Sequence, residues 1–507
     1  MKPISLSHLT LALLLTASTL VNSAPILPEP WKFEDLPTWD AGVRGGIPDV
    51  RVKKTITGVD LLNKENPAST IQTAINSIET PGAVLLPKGE YKLDKPLYMK
   101  SGVVLRGAGV NATKLIFDLK LPEMEVPFEM PAGGSVRFEG SQEEEGRPLE
   151  GDHFKSAQTI RCSNLTGIRI GDTIEIFSEN DPFMMYTESR WKRPWAEQAL
   201  GQLVRVTGLS GDELTIDTPL RLDYFKELNP RVRKVIPIEN AGLEGIALER
   251  VDNTPDGSIG FEKALNCWVK DCSSYMTTRG HIWINRSRFI TVEGNTVHHA
   301  FSYGSGGSGY GLVAGNIAVD CLFVNNITHN LRHSLMAKKG SNGNVFAYNY
   351  SFQRRREPEG DKLLCDISLH GHYPHQNLFE GNVVEFVDIA DHWGPTGPNT
   401  TLFRNHINEG IIIRDHSHHT RVIGNIIVEG GIKPDITVQF TSLLQNSLLS
   451  ENVTHDADKH TSLPASLFYK EKPAFWGNLP WPAIGPGTDL NRALFIPAQK
   501  RWLDQHP

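Results

Sequence analysis

The sequence predicts an all-β chain folded as a right-handed parallel β-helix. It adds an N-terminal helical cap, a small inserted β subdomain and an irregular C-terminal tail. Three observations carry this. A short motif centred on asparagine recurs as TVEGNTV, FVNNIT, FAYNYS, FEGNVV, LFRNHI, VIGNII and LSENVT, aligned on Asn295, Asn326, Asn349, Asn382, Asn405, Asn425 and Asn452, at intervals of 31, 23, 33, 23, 20 and 27 residues. An apolar residue stands three positions before each one: Val292, Phe323, Phe346, Phe379, Leu402, Val422 and Leu449. No helix-period segment separates the short β-type runs between them, so each parallel connection must itself be a strand and the chain must coil.

The elements follow in order. Residues 1–24 read as a secretory signal peptide, with Lys2 before the apolar run LTLALLLTASTLV and small residues at VNSA. Residues 25–118 form the cap and first coils; Ser69 is the expected N-cap of the helix TIQTAINSIE, followed by the strands AVLLP, GEYKL, PLYMK and GVVLRGAG. Between 119 and 236 the repeat breaks down, and GDTIEIF, QLVRVTGL and DELTIDTPL read as hairpin strands of an insertion. Its YTESRWKRPW stretch offers Trp191 and Trp195 as an arm that stacks on sugar rings. Residues 237–456 are the main coils, and 457–507, rich in Pro, Gly and Trp, form a tail laid along the solenoid.

Asparagine suits the repeat because it tolerates a left-handed corner and its amides can bond from coil to coil. The sequons at Asn326, Asn349 and Asn452 then face inward, where no glycan fits. The five cysteines (Cys162, Cys267, Cys272, Cys321 and Cys365) lack metal-type spacing and read as buried thiols, Cys272 filling the asparagine slot one coil earlier. A net charge of −7 with mixed signs argues against nucleic acid as the partner. It leaves room for a local basic groove that binds an acidic polysaccharide. The chain offers no membrane span outside the leader and is expected to act as a secreted or periplasmic monomer.

TIQTAINSIETPGAVLLPKGEYKLDKPLYMKSGVVLRGAG resembles the opening of pectate-lyase-like right-handed β-helix proteins, and the repeats and Pro/Trp-rich tail are similar to secreted members. That superfamily includes polysaccharide lyases, glycoside hydrolases, uronate epimerases and phage or adhesin fibres. The resemblance implies the fold more sharply than the reaction. HIWINRS resembles the metal-site strand of pectate lyases, but Asn285 and Arg286 stand where that pattern has Asp and His, so its calcium ligands are not carried over. His370-Gly371-His372 likewise differs from the Gly-His-Gly of polygalacturonases.

Thirteen of the 18 histidines fall between His281 and His419. Stacking brings residues one coil apart side by side, which places Lys338 and Lys339 near His370 and His372, then Asp391 and His392, then Arg414, Asp415 and His416, with Asp366 on the same face. Arg332 and His333 precede the lysines in HNLRHSLMAKKG. Cations beside histidines suit β-elimination on a uronic acid: a cation neutralises the carboxylate, a base takes the C5 proton and an acid protonates the leaving oxygen. The expected catalytic set is Arg332, His333, Lys338, Lys339, His370 and His372. Asp366, Asp391, His392, Arg414, Asp415, His416, Trp191 and Trp195 are the expected sugar-binding residues. The alternatives are a hydrolase using Asp366, Asp391 and Asp415, a uronate C5-epimerase, or a non-catalytic glycan-binding solenoid. No cofactor is certain; H-G-H with Asp391-His392 leaves a divalent cation open.

Overall fold

The structure, a computed structural model, describes residues 36–62, 66–119, 134–185, 188–254, 256–304, 307–355, 364–390, 393–439, 441–450, 453–454, 462–489 and 492–506. The proposed signal peptide, Asp391, His392 and Asn452 lie outside the described residues.

Each turn of the coil contributes three short strands, and each strand pairs in parallel with its counterpart one turn away. The first face runs through Thr291–Glu293, Leu322–Val324, Val345–Ala347 and Leu378–Glu380. The second runs through Thr296–His298, Ile327–His329 and Tyr350–Phe352. The third runs through Gly257–Glu262, Gly280–Asn285, Tyr310–Ala314, His333–Lys338 and Cys365–His370. Further along, Val383–Ile389 and His406–Ile413 bend continuously from the second face into the third.

The corner between the first and second faces is where the repeat motif acts. Each asparagine amide donates to the carboxamide oxygen one coil on: Asn295 to Asn326 (3.0 Å), Asn326 to Asn349 (2.9 Å), Asn349 to Asn382 (2.9 Å), Asn382 to Asn405 (2.9 Å) and Asn405 to Asn425 (2.9 Å). Each oxygen also accepts the backbone N–H of the preceding rung, as Asn295 does from Cys272. The next rung is Asn446, not the expected Asn452, with Asn425 donating to it at 2.9 Å. Asn344 and Asn377 make the same contact at another corner (2.9 Å). Inside, the apolar slot stacks Phe323 on Phe346 at 4.3 Å and Phe346 on Phe379 at 4.7 Å. Asn326 and Asn349 are fully buried, so neither sequon can carry a glycan. All five cysteines are free and buried.

The cap helix is Pro67–Ser77, and Asn66 rather than Ser69 caps it, its side chain accepting from Ser69 N–H at 3.1 Å. Proline at the first helical position sets the start three residues earlier than the serine suggests. Ala68, Ile71, Ala74 and Ile75 face the coil. Gly134–Glu139 pairs with Gly257–Glu262 within the third face, and the antiparallel strands of the insertion run from Ser141 to Ile236 around their own core of Ile160, Ile174, Val204, Leu214 and Val232. Buried charge locks this sheet to the solenoid. Glu175 bridges Arg233 (2.6 Å) and Arg286 (3.3 Å), and Asp217 meets Arg288 at 2.9 Å. The C-terminal tail lies on the coil through Arg404, which donates to the carbonyls of Leu463, Pro464 and Ile484. It ends in a helix, Pro497–Gln505, that the irregular composition conceals. Among the described residues no helix is long and apolar enough to cross a membrane.

The ladder yields a stability prediction. In Asn382→Ala the partners on both adjacent rungs lose their bonds in a dry interior, at a cost of about 2–4 kcal/mol. Urea unfolding of variant and parent measures it, and a cost within experimental error would show that the ladder does not hold the coils.

Candidate active site

The outer side of the third face carries the groups with chemistry. Strand alternation sends Leu335, Ala337, Ile367 and Leu369 into the core. Met336, Lys338, Ser368 and His370 then project outward. Register places Lys338 opposite His370 and Tyr310 opposite His333. The Tyr310 ring lies 5.2 Å from His333 and 6.2 Å from His370, the two imidazoles are 6.1 Å apart, and the Arg332 guanidinium sits 5.8 Å from the Tyr310 ring. Arg332 is anchored by donating to the Gly304 carbonyl at 2.9 Å. The ammonium of Lys338 is held between two indoles, Trp283 (5.3 Å) and Trp195 of the insertion (5.2 Å). Asp388 pairs in register with Ser368 and binds the guanidinium of Arg414 through both oxygens.

Arg332, His333, Lys338, His370 and Trp195 are thus brought together, and Arg414 borders them. His333 forms the floor of the cluster rather than its surface. It is fully buried, and burial together with Arg332 and His370 drives its pKa well below the usual histidine value.

Lys339 and His372 sit just past their strands in the left-handed region, with φ of 45° and 57°. His372 turns to the insertion, while the charges of His370, Lys338 and Lys339 still reach it. His372 donates from Nε2 to the Trp191 carbonyl at 3.0 Å and meets the Trp195 ring at 4.6 Å; burial pushes its pKa down to about 3. Gly340, at φ 68°, follows Lys339 because the Ala199 carbonyl of the insertion fills the space a Cβ needs.

Other expected sugar ligands are placed elsewhere. Asp366 is fully buried, bound by the Ser351 hydroxyl (2.5 Å) and by the N–H groups of Glu385 and Phe386 (2.9 Å each); burial raises its carboxyl to about 6 despite nearby Arg354. Its place is the corner between the second and third faces, where it caps the bent strand Val383–Ile389. Trp191 is fully buried against the coil and offers no stacking surface. Asp415, 3.8 Å from Arg190, and His416, 6.2 Å from the Trp191 ring, contact the insertion arm. Among the described residues no metal-ligand group forms at His370 and His372; His298, His299 and His329 instead bring their ligand atoms within 4.8 Å of one another.

The fold is that of the right-handed parallel β-helix proteins, and the resemblance to the pectate-lyase-like superfamily holds at that level. No family model and no curated protein matches the chain. Among solved structures, the tailspike protein gp49 from Pseudomonas phage LKA1 is similar with a TM-score of 0.51 and 14% identity, over 75% of this chain and 57% of that one. The gp54 tailspike of Acinetobacter baumannii bacteriophage AP22, solved with a capsular saccharide, gives 0.48 and 12% over 76% and 68%. The A-module of the Azotobacter vinelandii mannuronan C-5 epimerase AlgE4 gives 0.39 and 13% over 78% and 95%. Identities this low establish the coil and nothing about the reaction.

Tyr310, Trp283 and Asp388, all buried, belong to this cluster or its border and are missed by pattern reading. Tyr310 and Trp283 look like core aromatics in YGLVA and HIWIN. Asp388 is hidden by a register shift between Val384 and Phe386. Trp283 and Asp388 stand on the outward parity of their strands, between core residues, which is the sign to seek; Tyr310 shares the parity of core Leu312 and Ala314 and carries no such sign.

Buried histidines make stability depend on pH. His281, His372 and His375 are each pushed down to about 3 by burial, from an ordinary 6.5. Unfolding restores the ordinary value, so the unfolded chain binds more protons between those limits. Stability therefore falls as pH falls through that window, by about 1.4 kcal/mol per pH unit for each histidine. Urea unfolding across the window checks it; His375→Gln should flatten the slope by one proton, and an unchanged slope would contradict the assignment.

Proposed function

We propose that the protein is a secreted polysaccharide lyase that cleaves a uronate-containing glycan by β-elimination on the outer side of the third face. The observation that carries this is the pairing of Lys338 with His370 on adjacent rungs, with Tyr310 and Arg332 packed beside them. Lys338, with Arg332 behind Tyr310, neutralises the uronate carboxylate and stabilises the charge that develops when C5 loses its proton. His370 takes that proton. The C5–H electron pair forms the C4–C5 double bond, the C4–O4 bond breaks, and the Tyr310 phenol protonates the departing O4. His333 acts beneath them as a positioning residue, its buried ring packing on both. Trp195 and Trp393, 5.4 Å apart edge to face, supply an aromatic wall for a neighbouring sugar; Arg414, paired with Asp388, borders it.

Elimination is favoured over hydrolysis by the placement of the carboxylates. Hydrolysis requires two that reach the sugar. Among the described residues Asp366 is enclosed at a corner, Asp388 is held by Arg414 and Asp415 faces Arg190 of the insertion arm, 3.8 Å away; Asp391 lies outside the described residues.

The test is incubation of the full-length protein with a panel of uronate polymers, read by ultraviolet absorbance of the unsaturated product and by product mass. Lys338→Ala, His370→Ala and Tyr310→Phe are each expected to lower kcat by about 10²–10⁴. Saturated, hydrated products, or full activity in the three variants, would overturn the reading.

A further inference from the structure

We propose that His298, His299 and His329 form a binding site for a divalent transition-metal ion, zinc being the best match, separate from the proposed active site. Three imidazoles from two adjacent coils place their ligand atoms within 4.8 Å of one another, and Nδ1 of His298 lies 2.8 Å from Nδ1 of His299. In a tetrahedral site with bonds of about 2.1 Å, ligand nitrogens stand roughly 3.4 Å apart, so modest side-chain rotations complete the cage. An all-imidazole set selects zinc, copper or nickel and rejects calcium, which takes oxygen.

Packing alone does not call for histidine at these positions. His298 and His329 belong to a ladder of the second face whose other rungs are Tyr275 and Phe352: His298 stacks on His329 at 4.6 Å and His329 on Phe352 at 5.1 Å, while Tyr275 lies tilted against His298 at 5.1 Å. His299 occupies the left-handed corner (φ 62°) that Met276, Asn330 and Gln353 occupy in neighbouring coils. Tyrosine, phenylalanine, methionine, asparagine and glutamine thus fill the same slots elsewhere in the chain; histidine adds ring nitrogens. The Nδ1 of His329 accepts from the Asn330 amide at 2.9 Å, a bond that metal would compete with or leave in place by using Nε2. The corner is also braced from below: His281 donates from Nε2 to the His299 carbonyl (3.0 Å), and its Nδ1 accepts from the Ser274 hydroxyl (2.8 Å). His298 and His299 are partly exposed beside exposed Tyr275, which leaves an entry path.

Two features limit affinity. Binding must tilt the stacked planes of His298 and His329, now 9° apart, and the charge of nearby Arg355 is felt at His299.

Isothermal titration of the untagged, chelator-treated full-length protein with zinc, and cobalt(II) absorption spectroscopy, test the site. One equivalent should bind with a visible cobalt band of tetrahedral type, and calcium should not compete. His299→Asn keeps the left-handed corner and His329→Phe keeps the aromatic stack, so both should fold, as circular dichroism verifies. Each is expected to weaken this binding at least tenfold. Absence of zinc uptake by the parent protein, or equal uptake by parent and both folded variants, would overturn the proposal.

Discussion

The structure depends on one hydrogen bond repeated from coil to coil, the asparagine carboxamide that reaches from its own corner to the next. Apolar stacking stabilises the interior but does not fix register, because hydrophobic burial is non-directional. The amide does. Each oxygen takes a backbone N–H and a side-chain N–H from the preceding rung, as Asn382 does from Asn349. A slip of one residue would break both bonds and send the inward side chains to the outer face.

Once the corner is pinned, position within the coil decides what a residue can do. Lys338 is the last residue of its strand and lies between Trp195 and Trp283; Lys339, one residue later, has entered a left-handed turn. The same division separates His370 from His372. The insertion is held to the coil by largely buried ion pairs, Glu175 with Arg286 and Asp217 with Arg288. Such pairs contribute little net stability over apolar packing, but they are costly to break singly. The same insertion brings Trp195 to 5.2 Å from the Lys338 ammonium. A subdomain that looks peripheral therefore shapes one wall of the proposed active site.

Much of this was legible in the sequence because the asparagine requirement recurs. The ladder from Asn295 to Asn425 and the apolar slot before it follow from spacing alone. The final rung was misread because LSENVT imitates the motif, while QNS at Asn446, with Leu443 three before it, fits equally well. The meeting of Lys338 with His370 was readable to within a residue. The docking of His372 on the insertion was not, since backbone φ leaves no mark on an HGH string. Asp366 looked like a surface carboxylate because its three donors arrive from other segments, two of them backbone N–H groups. Trp191 and Trp195 looked equivalent in WKRPW, yet only tertiary docking buries one and leaves the other beside a cation.

The central claim is that stacking register makes Lys338 and His370 lateral neighbours on one outer surface. Paired cysteine substitution tests it directly, since the native thiols are all buried. In Lys338→Cys/His370→Cys, mild oxidation should close a disulfide between residues 338 and 370, mapped by peptide mass, because parallel neighbours lie within bridging distance. Lys339→Cys/His370→Cys should remain open under the same conditions. A bridge in the second protein and none in the first would contradict the register on which the site is built.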